Sequence, residues 1–218
     1  MGDVLITASN GGGGKSQLAI GVACELKRLG KSVIILVPIQ KHKDTIISKG
    51  KFFNVKFKHK DDVFLYADFI NRNFFDLIKL FKNVSVVIME EIGQTNSDYI
   101  RTIAMLKQTL KFNVIASGDD MQCDPPLEQG QVYVNLFKNK YFREMTGNNE
   151  IHLLYNPQFA RFQQDLFDVV QEFRSTRVFP KFPIATEFTM MNLTCTVKKA
   201  RELCALGSKI FSDGKDRI

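Results

Sequence analysis

Seven residues, Asn10-Gly11-Gly12-Gly13-Gly14-Lys15-Ser16, constrain this chain more than any other stretch. They follow a short apolar run, Val4-Leu5-Ile6-Thr7-Ala8, and open a segment in which Leu18, Ala19, Val22, Ala23, Leu26 and Leu29 recur at helical spacing. Successive glycines let backbone N–H groups turn inward around an anion, and the helix that follows presents its positive end to it. Lys15 is placed to reach the β- and γ-phosphates and Ser16 to hold Mg²⁺. The pattern predicts a phosphate-binding loop for a nucleoside triphosphate, with Asn10, Gly11, Gly12, Gly13 and Gly14 as its cradle. Ser9 stands where the pattern G-x-x-x-x-G-K-[ST] has its first glycine.

The surrounding pattern predicts an α/β fold. Gly30 stops the first helix before Ser32-Val33-Ile34-Ile35-Leu36-Val37, which completes a β-α-β unit. Strands buried on both faces read as continuous apolar runs, so these segments belong to a parallel sheet covered by helices. Val84-Ser85-Val86-Val87-Ile88-Met89 is the next strand and ends in Glu90-Glu91. A helix from about Ser97 to Leu110 leads to Asn113-Val114-Ile115-Ala116-Ser117, which ends in Gly118-Asp119-Asp120-Met121-Gln122. In open parallel sheets ligands bind at the carboxyl ends of the strands, so the glycine loop, the glutamates and the Asp/Gln cluster are expected to converge there. Beyond Gly130 the pattern predicts a short helix near Val132 to Phe137, a strand at Ile151 to Leu154 and an amphipathic helix from about Gln163 to Phe173. Pro180 and Pro183 mark a linker before a strand at Phe188 to Thr194 and a helix at Val197 to Leu206. The expected division is one domain over 1–182 and the start of another over 183–218.

Composition narrows the function classes. No apolar run approaches the ~20 residues that span a bilayer, and the start lacks a signal-peptide pattern, so an intracellular protein with no membrane partner is expected. Cys24, Cys123, Cys195 and Cys204 show no C-x-x-C spacing, and neither a zinc site nor a disulfide framework is indicated. The net charge is +7, which suits a polyanionic partner. Between Gln40 and Lys60, seven lysines face a single acid, Asp44, with Phe52, Phe53 and Phe57 interleaved. This segment reads either as a solvated basic loop or as a groove that tracks a nucleic-acid strand and stacks its bases.

An enzyme that splits a triphosphate must also hold the metal, orient a water and sense the γ-phosphate. Glu90 is the candidate for Mg²⁺ and Glu91 for water activation. Gln122 is the candidate γ-phosphate sensor, with Asp119 close to the metal.

Ala8 to Ser16, Val87-Ile88-Met89-Glu90-Glu91-Ile92 and Gly118 to Pro126 resemble motifs I, II and III of superfamily 1 helicases, in the same order and at similar intervals. Val33 to Lys43 resembles the motif Ia strand and loop that touches single-stranded nucleic acid in that family. Leu154-Tyr155-Asn156 through Arg161-Phe162 resembles motif IV, and this implies that Arg161 reaches the γ-phosphate. Asn192 to Arg201 is similar to the first strand and helix of the second RecA-like domain in RecD-like helicases, especially those of large DNA viruses. The resemblance implies a RecA-like motor domain, ATP and Mg²⁺ as cofactors, and single-stranded DNA as partner. Nothing in the residues separates DNA from RNA.

The chain departs from that pattern in four places. Motif II begins with Glu90 where the family has Asp, and Cys123-Asp124 interrupts the usual Gln-Leu-Pro-Pro. No glutamine precedes the loop to read adenine, and nothing like motifs V and VI follows, so a second motor domain or replication partner in trans is expected for unwinding. Two rival readings share the loop. Partitioning ATPases resemble the chain from Asn10 to Val33, but have a signature lysine where Asn10 stands. Thymidine kinases share the loop and the Glu91 position, but carry paired zinc cysteines that are missing here. A third reading is a remnant that binds nucleotide or nucleic acid without productive hydrolysis.

Overall fold

The computed structural model describes residues 2–9, 12–58, 61–119, 135–156, 164–176 and 178. Six parallel strands form one sheet in the order β3-β2-β4-β5-β1-β6, with β1 Val4–Ala8, β2 Val33–Val37, β3 Val63–Leu65, β4 Val86–Met89, β5 Asn113–Ser117 and β6 Glu150–Leu153. Alternate side chains of each inner strand enter opposite layers of core. Ile34, Leu36, Val87, Met89, Val114 and Ala116 pack on one face, and Val33, Ile35, Val37, Val86, Ile88 and Ile115 on the other. Burial on both faces is the reason these strands are apolar throughout.

Helices α1 (Lys15–Arg28) and α2 (Gln40–Phe52) cover the second of these faces through Ala19, Ile20, Ala23, Ile46 and Ile47. Two further helices, the short α3 (Ala67–Ile70) and α4 (Phe74–Phe81), follow β3. The first face is covered by α4, α5 (Ser97–Leu110) and α6 (Lys140–Met145), with Leu77, Phe81, Ile103, Leu106 and Phe142 buried. Asparagines begin α4, α5 and α6: the side chains of Asn73, Asn96 and Asn139 accept from the backbone N–H groups of Asp76, Asp98 and Phe142. A last helix, α7 (Gln164–Thr176), follows β6.

The expected fold class is the one observed. The helix over 97–110 and the strand over 113–117 lie where the periodicity put them. One expectation needs correction. The lysine-rich segment from Gln40 is not a loop for most of its length, because α2 occupies it through Phe52. Its aromatics are also dispersed: Phe57 is only 3% exposed and belongs to the core, Phe53 is half-buried, and Phe52 alone stands out at 80% exposed. Of the helix expected near Val132 to Phe137, only Leu136 and Phe137 fall in a described element, a 3₁₀ turn over Leu136–Lys138.

Backbone proximity divides the chain into two compact units, Met1–Arg177 and Val178–Ile218. The linker expected at 180–187, and the strand and helix expected after it, lie outside the described residues. No helix among the described residues is long and apolar enough to cross a membrane.

Candidate functional site

Strands β4, β5 and β1 are adjacent in the sheet and parallel, so the loops at their carboxyl ends are neighbours. Those loops carry the three sequence motifs.

The first loop turns on glycine. Gly12 and Gly14 have φ of 82° and 91°, where a Cβ would be strained. Gly14 is the N-cap of α1, and it offers no side chain to the free N–H groups of the first turn; that turn also contains no acid. The positive end of α1 is therefore left open to an anion. Lys15, the first helical residue, is only 5% exposed and forms no ion pair among the described residues. Asn10 and Gly11 lie outside the described residues, as do Gln122 and Arg161.

The second loop carries the carboxylates. Glu90 follows β4, is 3% exposed, and its backbone N–H donates to the carbonyl of Leu36 at 2.9 Å. Burial pushes its carboxyl up from the ordinary range, and the negative charge of Glu91 adds to this. The hydroxyls of Ser16 and Ser117 and the charge of Lys49 act in the opposite direction. Structure thus brings together Ser16 and Glu90, the two residues expected to share a metal. Glu91 adopts the left-handed conformation at φ 52° and ψ 49°, which re-aims the chain into a 3₁₀ turn over Ile92–Gln94. One buried carboxylate oxygen of each residue, Glu90 Oε1 and Glu91 Oε2, has no hydrogen-bond partner among the described residues.

The third loop packs directly behind the second. A Cβ on Gly118 would come within 2.6 Å of Ile92 Cγ1 and 2.8 Å of Phe137 Cζ, and one on Gly93 within 2.9 Å of the Asp119 carbonyl oxygen. The two loops therefore meet through glycines, with Phe137 wedged against both. Asp119 is buried beside them.

The Glu90 carboxylate and the Ser16 hydroxyl beside it are hard oxygen donors. Among the described residues no group of three His, Cys, Asp or Glu could hold a metal ion by itself. A partial set of this kind suits Mg²⁺, which keeps several waters and completes its shell on phosphate oxygens.

Sequence reasoning missed two residues here. Ser117 ends β5 beside Glu90, and its place at a strand end could have marked it. Tyr66 is buried, stacks on Tyr99 at 6.0 Å and donates its hydroxyl to the Glu90 carbonyl at 3.1 Å. Nothing in the sequence singled out Tyr66.

No family model matches this chain, and no curated protein does. Solved structures do. The Pif1 helicase from Candida albicans superimposes with a TM-score of 0.54 at 17% identity, over 79% of this chain and 40% of that one. The fold is a RecA-like α/β sheet. A Bacteroides Pif1 bound to ssDNA aligns over 81% of this chain and 43% of its own, with a TM-score of 0.48 and 16% identity. This chain thus spans well under half of either helicase.

Proposed function

We propose that this chain is a nucleic-acid-dependent ATPase, the motor half of a superfamily 1 type helicase, that hydrolyses ATP with Mg²⁺ and contacts single-stranded DNA. One observation carries the reading: a glycine loop and open helix end lie beside the buried carboxyl of Glu90, to which the Ser16 hydroxyl hydrogen-bonds and one of whose oxygens has no partner among the described residues. In this reading the backbone from Asn10 to Gly14 cradles the phosphates and Lys15 supplies positive charge. Ser16 and Glu90 hold Mg²⁺, which when bound offsets phosphate charge and orients the leaving group. Glu91 activates water, Gln122 senses the γ-phosphate and Arg161 stabilises charge in the transition state. Residues 183–218 are assigned to the start of a second RecA-like domain. The RecD-like viral type and an intracellular location belong to the same proposal, and the polar contacts expected do not separate DNA from RNA.

The test is steady-state ATP hydrolysis with and without single-stranded DNA, using Lys15→Ala as the control. DNA-stimulated hydrolysis that Lys15→Ala abolishes supports the reading. Basal hydrolysis that needs Lys15 and ignores DNA favours a partitioning-type ATPase. Nucleotide binding without turnover favours a remnant.

A further inference from the structure

Ser9 is the position at which the phosphate loop departs from its pattern, and the structure builds a set of contacts around that departure. The Ser9 backbone N–H donates to the carbonyl of Leu153 at 3.0 Å, and its carbonyl accepts from Gln171 Nε2 of α7 at 2.7 Å. Its hydroxyl lies 3.0 Å from Nε2 of His152, whose Nδ1 lies 2.8 Å from the Thr7 hydroxyl. Thr7 in turn donates to Glu150 Oε1 at 2.8 Å, and Arg143 pairs with Glu150 Oε2 at 2.9 Å.

Proton counting fixes the direction of this chain of contacts. Partial burial pushes the Glu150 carboxyl up, but hydrogen bonds from Arg143 and Thr7 and the positive charges of Arg143 and of a protonated His152 outweigh it, so the group stays a carboxylate and only accepts. Thr7 spends its single proton on Glu150, so Nδ1 of His152 must donate to Thr7. In the neutral ring Nε2 then accepts, and the Ser9 hydroxyl donates to it. A glycine at position 9 could not make this contact.

We infer that His152, set by Thr7 and Glu150, is a positioning residue that anchors Ser9 and so holds the first turn of the phosphate loop in shape for a nucleoside triphosphate. The inference rests on the nucleotide-binding reading for its consequence, although the anchoring itself can be measured without nucleotide. Edge strand β6 supplies the rigid support, through its parallel pairing of Thr7 with His152 and Ala8 with Leu153.

The test is a double-mutant cycle with Ser9→Ala, His152→Ala and the double variant. Two readouts are used: amide hydrogen exchange of residues 8–16 in nucleotide-free protein, and equilibrium titration with Mg·ATP. Each single variant is expected to speed exchange in that segment, and to weaken ATP, by about three- to tenfold, the worth of one hydrogen bond. The double variant should be no worse than either single, because both remove the same contact. His152→Gln, whose terminal oxygen can accept from Ser9, should recover part of the loss. Additive losses, unchanged exchange in either single variant, or equal acceleration in β4 would each overturn the anchor. If wild-type protein shows no Lys15-dependent ATP binding, the nucleotide reading fails, while the exchange cycle still decides whether His152 anchors Ser9.

Discussion

Glu90 is the residue at which stability and the proposed activity conflict most directly. Its carboxyl is buried, one oxygen has no partner among the described residues, and the neighbouring Glu91 carries the same charge. Because burial raises its folded-state pKa, the folded protein retains this proton to a higher pH than the unfolded chain does. The Glu90 contribution to stability therefore falls as pH rises from the ordinary carboxylate range through the raised value. Glu90→Gln removes the charge and should stabilise the metal-free protein at pH 7 by about 1 kcal/mol, or about 2–4 °C in thermal unfolding. It should also flatten the stability profile above the ordinary carboxylate range, and abolish the extra stabilisation that Mg·ATP gives to the wild type. A lower melting temperature for the variant at pH 7 would show that the carboxylate is well compensated as it stands. Glu91→Gln separates binding from chemistry. If Glu91 activates water, ATP affinity should stay within about twofold while turnover drops by about a hundredfold or more. A parallel loss of affinity would place Glu91 among the ligands instead.

At the scale of elements, the second and third loops depend on close approach at two glycines, Gly93 and Gly118. Gly118→Ala puts a methyl within 2.6 Å of Ile92 and 2.8 Å of Phe137, so one of them must move. The expected cost is about 1–3 kcal/mol by overpacking, measured by urea unfolding. Phe137→Leu in the same chain should restore part of it; no restoration would mean that Ile92, not Phe137, takes the strain. What was legible in the sequence follows the same division. β1, β2, β4, β5 and α5 were readable because both-face burial or a 3.6-residue period left a continuous signal. The glycine loop and the carboxylate pair were readable because backbone and charge chemistry restrict which residues serve there. α2 was hidden because its buried residues, Lys43, Ile46, Ile47 and Gly50, include a lysine and a glycine. Lys43 is buried over the Phe64 ring at 5.9 Å, and Gly50 is required by close approach of Phe57, whose ring would lie 2.4 Å from a Cβ. Tyr66 acts through a contact between distant segments, which no local pattern records.

For the molecule as a whole, the excess of seven positive charges favours a polyanion, and the architecture says which of them a strand near the nucleotide end can meet. In a parallel sheet every helix that follows a strand begins at the strand's carboxyl end and runs back. α2 therefore starts beside the candidate site at Gln40 and ends at Phe52, a run of 13 residues that spans about 20 Å. Lys41 is exposed at the near end. Phe52 and Lys51 are exposed at the far end, where Arg28 from the end of α1 donates to the Phe53 carbonyl at 2.6 Å. Two helix C-termini meet there, and the basic residues of their last turns, Lys27, Arg28, Lys49 and Lys51, complement the negative ends of those dipoles. The charge at the far end thus has a structural use that the charge at Lys41 lacks. If single-stranded DNA runs across the nucleotide end, Lys41→Ala should reduce the dependence of log affinity on log salt by about 0.7, one phosphate contact. Phe52→Ala should leave the affinity within about twofold, although an exposed aromatic that stacks a base is worth about 1–3 kcal/mol. Fluorescence anisotropy of a labelled oligonucleotide at four salt concentrations measures both. A large loss in Phe52→Ala with no change of slope in Lys41→Ala would move the strand to the amino ends of the sheet, and would separate the nucleic-acid contact from the phosphate loop by the full height of the domain.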